Sequence, residues 1–278
     1  MKVKSYKSLA GFIRNTEDFL IEKEVTNNLF WEVLRGLEKQ PGTNYWAGNI
    51  MKNGKIEMSA ILTSSNYLLI SKGNKAALNH LIGYCRRKKW HLRGVTGPNE
   101  YSTSFTHKWI DGGKDTVEGS RDFSIYESPK RIPKWKGGNS NDYFLKLVGD
   151  MEWPRARLWA LQFASESRPK INGSAVVGMA KEMKKNQNLY FLQKKDFGTC
   201  GMAGFGRETP NLKVINLVYV PKELRNQKLA QKLILEVLKK TENKKDKRCI
   251  LFSDYQGQNN LYDSIGFQLI STHSERMF

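Results

Sequence analysis

The sequence predicts an α/β protein of two domains, and three observations lead to this prediction. Strand and helix patterns alternate over residues 56–109, and a strand, a turn, a helix and a second strand follow one another over residues 215–253. Between these stretches, the proline- and glycine-containing segment 128–140 interrupts all periodicity. A chain of 278 residues is also longer than one typical domain. We therefore expect domains at residues 1–127 and 141–278, joined by a linker at 128–140.

The N-terminal half has the pattern of a strand pair followed by two helices. Residues 56–62 alternate apolar and polar positions, as in a half-buried strand, and residues 67–70 are its expected partner across a turn. One helix is predicted over residues 75–87. A second is predicted beyond Pro98, because proline suits a first-turn position that needs no N–H donor. This half has no arginine-anchored phosphate turn, so we expect it to be non-catalytic, either a wall of the substrate site or a scaffold.

The C-terminal half contains a strand followed closely by an amphipathic helix. Residues 215–220 are rich in β-branched and aromatic side chains, and Pro221 ends the strand because proline cannot donate to a strand ladder. Over residues 229–240, apolar side chains recur at helical spacing, while Lys232 and Glu236 fall on the opposite, polar face. The pattern predicts a helix with one buried face and one polar face.

The turn between this strand and this helix is a candidate anion site. N–H groups in the first turn of a helix lack backbone partners and point outward, so they can hold a pyrophosphate. A ligand that carries phosphate groups is therefore expected here. The turn residues are Arg225, Asn226, Gln227, Lys228, Leu229 and Ala230.

These turn residues resemble the cofactor loop of the GNAT superfamily of N-acetyltransferases. That loop reads Arg or Gln, two free positions, Gly, one free position, and then Gly or Ala. Arg225 and Ala230 match it, whereas Lys228 stands where the family normally has its central glycine. Glycine at that position permits close approach of the backbone to the cofactor. Lys228 is thus the main departure from the family pattern, although its ammonium could face the phosphates of the cofactor.

The resemblance continues on both sides of the turn. Downstream, residues 249–253 read as a short buried strand, Asn259 and Tyr262 follow on an expected helix, and Gly266 resembles the family's last helix-to-strand corner. Upstream, residues 159–166 resemble the amphipathic first helix of such a domain. The N-terminal half is similar, more weakly, to the leading domain of a bacterial subgroup with two domains.

The resemblance implies a fold, an activity and a cosubstrate. The implied fold is a mixed, mostly antiparallel sheet flanked by helices, preceded by a smaller, degenerate α/β domain of the same kind. The implied activity is direct transfer of an acetyl group from acetyl-CoA to a primary amine of a small molecule or peptide. The cofactor-binding residues that it implies are Val218, Tyr219, Val220, Arg225, Asn226, Gln227, Lys228, Leu229, Ala230 and Asn259.

Direct transfer needs an acid and a base but no covalent enzyme intermediate. Tyr262 is the expected general acid, because family members often place a tyrosine there and a phenol can protonate the departing thiolate. Glu166 is the expected base, and Glu223, Asp254 or an ordered water remain alternatives. The four histidines have neither triad nor metal spacing, so no metal site is expected.

Net charge bears on the partner. The chain carries a formal net charge of +19. Residues 1–127 hold 19 Lys or Arg against 13 Asp or Glu, a net charge of +6. Residues 128–278 hold 27 Lys or Arg against 14 Asp or Glu, a net charge of +13. A positive field over the C-terminal half favours acetyl-CoA, which carries several phosphate charges. The same excess motivates an alternative, an RNA- or ribosome-associated acetyltransferase, although the sequence has no base-stacking motif or zinc finger. Lys228 motivates another, a catalytically inactive acyl-CoA-binding or protein-interaction module.

Cysteine usage and hydropathy suggest where the protein resides. Cys85, Cys200 and Cys249 are far apart and include no pair at metal-ligand or redox spacing, which predicts buried thiols in a reducing compartment. The first 20 residues have no continuous apolar core, and no apolar run is long enough to span a bilayer. We expect a soluble, cytoplasmic protein. The acceptor amine and the oligomeric state are left open.

Overall fold

The computed structural model describes residues 1–111, 116–168, 170–241, 248–254 and 260–278. The strands, in chain order, are β1 (Lys2–Tyr6), β2 (Trp46–Lys52), β3 (Lys55–Leu62), β4 (Tyr67–Ile70), β5 (Gly94–Pro98), β6 (Gly119–Glu127), β7 (Tyr143–Leu147), β8 (Leu189–Lys194), β9 (Gly198–Glu208), β10 (Leu212–Tyr219), β11 (Arg248–Ser253) and β12 (Gln268–Met277). The α-helices are α1 (Leu9–Ile21), α2 (Glu24–Asn27), α3 (Leu29–Lys39), α4 (Lys75–Arg87), α5 (Asn99–Asp111), α6 (Trp153–Glu166), α7 (Gly173–Lys185) and α8 (Leu229–Lys239).

The chain forms two compact units. Unit one is Met1–Ile125 together with Ile270–Phe278, and unit two is Tyr126–Leu269. These bounds differ from the expected domains in two ways. The expected linker at 128–140 falls inside unit two, because Ile132 and Trp135 pack against the core of that unit. The C-terminal residues belong to unit one, because β12 pairs with β5.

Unit one is a mixed sheet with helices on both faces. Its strand order is β1-β2-β3-β4-β5-β12-β6, in which β4 and β5 are parallel and the other pairs with a described register are antiparallel. One core cluster includes Phe12 and Phe30, and the other includes Leu78 and Phe105. The prediction that residues 56–62 form a half-buried strand is therefore wrong in one respect. Both faces of β3 are covered, so Met58 and Ile61 are equally buried.

Unit two repeats this architecture. Its strand order is β11-β10-β9-β8-β7, with β10 and β11 parallel and the remaining pairs antiparallel. Helix α8 packs on one face through Leu233 and Ile234, and α6 and α7 pack on the other through Ala160 and Val176. The predicted fold class, a mixed and mostly antiparallel sheet flanked by helices, is confirmed. In both units a strand, a group of helices and three antiparallel strands precede a helix and a parallel strand.

The outer face of α8 differs from the prediction. Residues 132–143, which we call the strap, cover it, and the Lys232 side chain is only 1% exposed. The Lys232 ammonium lies 5.4 Å from the Trp135 ring centre and 5.9 Å from the Tyr143 ring centre, and it pairs with Glu236 at 2.7 Å. The expected polar face is therefore partly interior. A charged side chain is tolerated there because it keeps an ion pair and two aromatic neighbours.

Two further expectations concern hydropathy and thiols. In the described part of the chain, no helix is long and apolar enough to cross a membrane. Cys85, Cys200 and Cys249 are buried free thiols, as predicted.

Candidate active site

Strands β10 and β11 separate partway along their length. Their parallel pairing runs from Leu212 opposite Arg248 to Ile215 opposite Leu251. Beyond Ile215, no described residue of β11 pairs with β10, although β10 continues to Tyr219 and β11 to Ser253. Beyond these residues the two strands are no longer paired with each other, and we call the gap between them the wedge.

A bulge in β10 coincides with the start of the wedge. The register to β9 passes from Asn216 opposite Gly204 to Tyr219 opposite Met202, so Leu217 and Val218 together oppose one residue. Leu217 has a left-handed backbone with φ of 55°. A bulge of this kind bends its strand and increases the local twist. We attribute the divergence of β10 from β11 to this bend.

The turn after β10 has the backbone geometry of an anion site. Arg225 follows a short 3₁₀ turn, and Asn226 and Lys228 are left-handed, with φ of 64° and 58°. Lys228 therefore holds the conformation that glycine adopts most readily, even though it carries a side chain. Alternating left-handed residues direct backbone N–H groups toward one side and form anion-binding concavities.

The N-terminus of α8 is available to a ligand. Lys228 is its N-cap residue and makes no side-chain capping bond in the described part of the chain. The first-turn N–H groups of α8 therefore keep the unpaired donors and the partial positive charge of a helix start. A cavity of about 300 Å³ opens at this end of the helix. It is lined by Val220, Leu224, Arg225, Asn226, Lys228, Leu229, Ala230, Gln231 and Leu261.

The corresponding turn of unit one is closed. Asn74 precedes α4, and its side-chain oxygen accepts the Ala77 N–H at 2.9 Å. The Tyr101 hydroxyl in turn donates to the Gly73 carbonyl. A capped helix start offers fewer free donors to an anion. The two turns thus differ in their helix caps, and phosphate binding by the C-terminal turn stays a prediction.

Arg225 ties this turn to α6. Its Nη2 lies 2.5 Å from Glu166 Oε2, and its Nε donates to the Val220 carbonyl at 3.0 Å. The Tyr219 hydroxyl donates toward Gln162 Oε1 at 3.0 Å and lies 3.3 Å from Glu166 Oε1. Sequence reasoning missed Gln162, which lies one turn before Glu166 on the same helical face. Together these contacts fix the end of β10 against α6.

The environment of Glu166 bears on its expected role as base. Burial raises the pKa of Glu166, but the hydrogen bond and charge of Arg225 outweigh burial and leave that pKa below its ordinary value. A carboxylate with a lowered pKa is a weaker base. Both of its oxygens also have partners. These contacts favour a positioning role over proton abstraction.

We predict that Glu166→Gln destabilises the protein in a pH-dependent way. A lowered pKa in the folded state means that the ion pair stabilises above the unfolded pKa of about 4.3 and is lost as the pH falls through the folded value. Because the Arg225 side chain is 41% exposed, solvent screening limits the loss in the free energy of unfolding at pH 7 to about 1 kcal/mol. Urea denaturation at pH 7 and at pH 3 measures the loss in the free energy of unfolding at each pH. Glu38→Gln, at an exposed position, is the control, and an equal loss at both pH values would contradict the prediction.

Tyr262 lies beside the cavity residue Leu261 but is not itself a lining residue. Its ring packs against Tyr126 and Phe267, with centroids 5.6 and 6.0 Å away. Burial, aided by the charge of Asp254 and by Tyr126, raises the pKa of Tyr262 to about 12. The phenol therefore keeps its proton at neutral pH.

The structure differs from the expectation that Tyr262 lies on a helix. In the described residues it precedes a short 3₁₀ turn, Asp263–Ile265, rather than an α-helix. Asn260 explains this, since its side-chain oxygen accepts the N–H groups of Tyr262 and Asp263 and so forms a local turn. Gly266 closes the turn with φ of 82°, as predicted.

The expected cofactor residues are only partly brought together at the cavity. Val220, Arg225, Asn226, Lys228, Leu229 and Ala230 line it. Val218 packs against the core beside α8, and Tyr219 points toward α6. Gln227 is exposed and does not line the cavity, and Asn259 lies outside the described residues. Sequence reasoning missed Leu224, Gln231 and Leu261, which lie within a few residues of the recognised motif positions.

Two observations concern potential metal ligands and the cysteine thiols. No group of three potential metal-ligating side chains lies together there. Burial raises the pKa of the Cys200 and Cys249 thiols to about 11, which disfavours the thiolate that a covalent mechanism requires.

Comparison with known proteins identifies the C-terminal domain. Residues 171–277 match the family model of the acetyltransferase (GNAT) domain. The resemblance of this part of the chain to the GNAT superfamily is thereby confirmed. No curated protein matches the chain.

Solved structures agree on the fold of the whole chain. An acetyltransferase of the GNAT family from Colwellia psychrerythraea is 11% identical, with 100% of each chain covered and a TM-score of 0.58. A GCN5-related N-acetyltransferase from Sphaerobacter thermophilus is 15% identical, with 88% of this chain and 84% of that chain covered and a TM-score of 0.56. A tandem GNAT protein from the clavulanic acid biosynthesis pathway, solved without AcCoA, is 10% identical, with 100% and 98% covered and a TM-score of 0.55.

Proposed function

We propose that this chain, through its GNAT domain, transfers an acetyl group from acetyl-CoA directly to a primary amine of a small molecule or peptide. One observation carries the proposal. The N-terminus of α8, which has no side-chain cap, opens into a cavity that begins at Val220, directly after the stretch of β10 that is not paired with β11. A helix start suits a pyrophosphate, and the free edge of a strand suits an amide-containing pantetheine arm.

The proposed reaction uses backbone groups at the end of β10, the Tyr262 phenol and water. The amine lone pair attacks the thioester carbonyl, and the carbon–sulfur bond breaks as the tetrahedral intermediate collapses. Backbone groups of Val218 to Val220 meet the pantetheine arm as an added strand would, and one of their N–H groups polarises the carbonyl oxygen. Tyr262 donates its proton to the departing thiolate, water carries away the ammonium proton, and a proton returned through water restores the Tyr262 phenol. Glu166 takes no part in the proton transfers; its ion pair with Arg225 holds the phosphate turn in place.

We predict that the protein binds CoA at micromolar strength and that Arg225→Ala weakens this binding about tenfold. The substitution removes a cation from the cavity wall and leaves the Glu166 carboxylate unpaired next to the phosphates. Isothermal titration calorimetry with CoA measures the dissociation constants of the wild-type protein and of Arg225→Ala. Arg14→Ala, at an exposed position in unit one, is the matched control. Absence of heat with the wild-type protein would remove the proposal.

Transfer itself is tested by intact-mass measurement. A panel of small amines and peptides is incubated with acetyl-CoA and the protein, and each acceptor is examined for the gain of one acetyl group. CoA binding without transfer to any acceptor would favour the inactive module over the enzyme.

A second candidate, an RNA-associated acetyltransferase, is motivated by the net charge of +13 on residues 128–278. Binding of this kind weakens steeply with salt, because condensed counterions are released. RNA affinity that is unchanged from low to moderate salt would exclude this candidate.

A further inference from the structure

Lys228 presents a physical problem that glycine would avoid. Its φ of 58° puts the backbone of a residue with a long side chain in the left-handed region, within the turn that the proposed function assigns to phosphate binding. That conformation is disfavoured for residues with a Cβ atom. A contact from outside the turn would offset this cost and help to keep the N–H groups of α8 directed at the cavity.

The strap supplies a contact at this residue. The Trp135 indole Nε1 donates to the Lys228 carbonyl at 3.3 Å, and the same carbonyl accepts the first helical hydrogen bond, from Lys232 N at 3.1 Å. The peptide unit that follows Lys228 is thus held from two directions. One holding contact comes from α8 and the other from residue 135, which is distant in sequence.

Lys232 in turn fixes Trp135. Its buried ammonium lies against the Trp135 and Tyr143 rings, which are themselves 5.2 Å apart in an edge-to-face arrangement. The ammonium also donates to the Ser140 hydroxyl and pairs with Glu236. A Cβ atom on Gly137 would collide with the Trp135 ring, so this glycine lets the strap fold over the indole. The indole therefore has a defined position from which it reaches residue 228.

We propose that the strap is a positioning element that compensates for the lysine in the cofactor turn. Trp135, anchored by Lys232, stabilises the left-handed conformation of Lys228, which a glycine would adopt without help. The consequence for CoA binding rests on the proposed function, whereas the conformational coupling between residues 135 and 228 does not.

A double-mutant cycle tests the proposal with Trp135→Phe and Lys228→Gly. Phenylalanine keeps an aromatic ring beside Lys232 but removes the indole donor. In the wild-type background, we expect Trp135→Phe to raise the equilibrium constant for unfolding about fivefold. We expect it to weaken CoA binding by a similar factor. Glycine at residue 228 keeps the carbonyl that accepts the indole N–H, so part of the stability loss should persist in the Lys228→Gly background. Both effects should nevertheless be smaller there, with the effect on CoA binding below about twofold, because glycine adopts the left-handed conformation without support. Urea denaturation and calorimetry with CoA provide the two measurements.

The outcomes separate this inference from the proposed function. Equal effects of Trp135→Phe in the two backgrounds, or no effect in either, would overturn the inference. Wild-type protein that does not bind CoA would remove the proposed function, and the denaturation cycle would still decide whether residues 135 and 228 are coupled. Trp90→Phe, which alters a partly buried tryptophan of unit one, is the control and should leave the cofactor turn unaffected.

Discussion

Replacing Ala230 by glutamate is expected to abolish measurable acetyl-CoA binding, with a loss of at least about 100-fold in affinity. Ala230 lines the cavity at the second residue of α8, where the uncapped N–H groups lie. A carboxylate there would compete for those donors and repel the phosphates. Titration calorimetry with acetyl-CoA and CoA measures the loss.

The position allows a sharp control for folding and for side-chain size. Glutamate in the first turn of a helix is favourable, because it complements the positive end of the helix dipole. Ala230→Glu should therefore leave the free energy of unfolding unchanged or slightly increased. Ala230→Gln has nearly the same shape without the charge, and we expect it to lose no more than about tenfold in affinity. Equal losses for the two variants would mean that steric exclusion, not charge, governs the site.

The second large effect is expected for Tyr262→Phe, which should lower kcat about 100-fold if the phenol protonates the departing thiolate. No described residue makes a hydrogen bond to the Tyr262 hydroxyl, and the ring remains free to pack on Tyr126 and Phe267. Removing the oxygen should therefore change stability little. Because the pKa of Tyr262 is raised to about 12, ionisation of this group should not limit the wild-type rate below about pH 11.

Tyr126→Phe is the matched comparison. The Tyr126 hydroxyl accepts a hydrogen bond from Asn260 Nδ2 at 2.7 Å in a buried setting. Its removal should lower the free energy of unfolding by about 1 kcal/mol while leaving kcat nearly unchanged. Steady-state kinetics on an acceptor found by mass measurement, together with urea denaturation, separates the two residues. A Tyr262→Phe variant with wild-type kcat would exclude its role as the acid.

Local patterns were sufficient where local physics decides the structure. The helix at 75–87 and the helix that begins at Leu229 were predicted because their apolar spacing extends over several turns. The strand–turn–helix order around residues 219–229 was predicted because Pro221 ends the strand and the apolar spacing of a helix follows directly. Gly266 was placed correctly because a positive φ favours glycine.

Features that depend on distant residues escaped sequence reasoning. Glu166 and Arg225 are 59 positions apart, so no local pattern reports their ion pair. Lys232 was placed on a polar face because helical spacing does not reveal that the strap covers it. No sequence pattern indicates the left-handed backbone of Leu217 either. Leucine seldom adopts that conformation, and the bulge is set by the neighbouring strands.

Membership of β12 in unit one has a consequence for biosynthesis. Residues His273–Met277 pair with Gly94–Pro98, so the last nine residues complete a sheet begun near the N-terminus. A ribosome releases the N-terminal part of a chain first, and domains commonly fold in that order. Here the first unit cannot complete its sheet until residue 277 has been translated, because β5 lacks its β12 partner until then. Nascent chains halted before residue 270 should therefore display a protease-sensitive N-terminal unit.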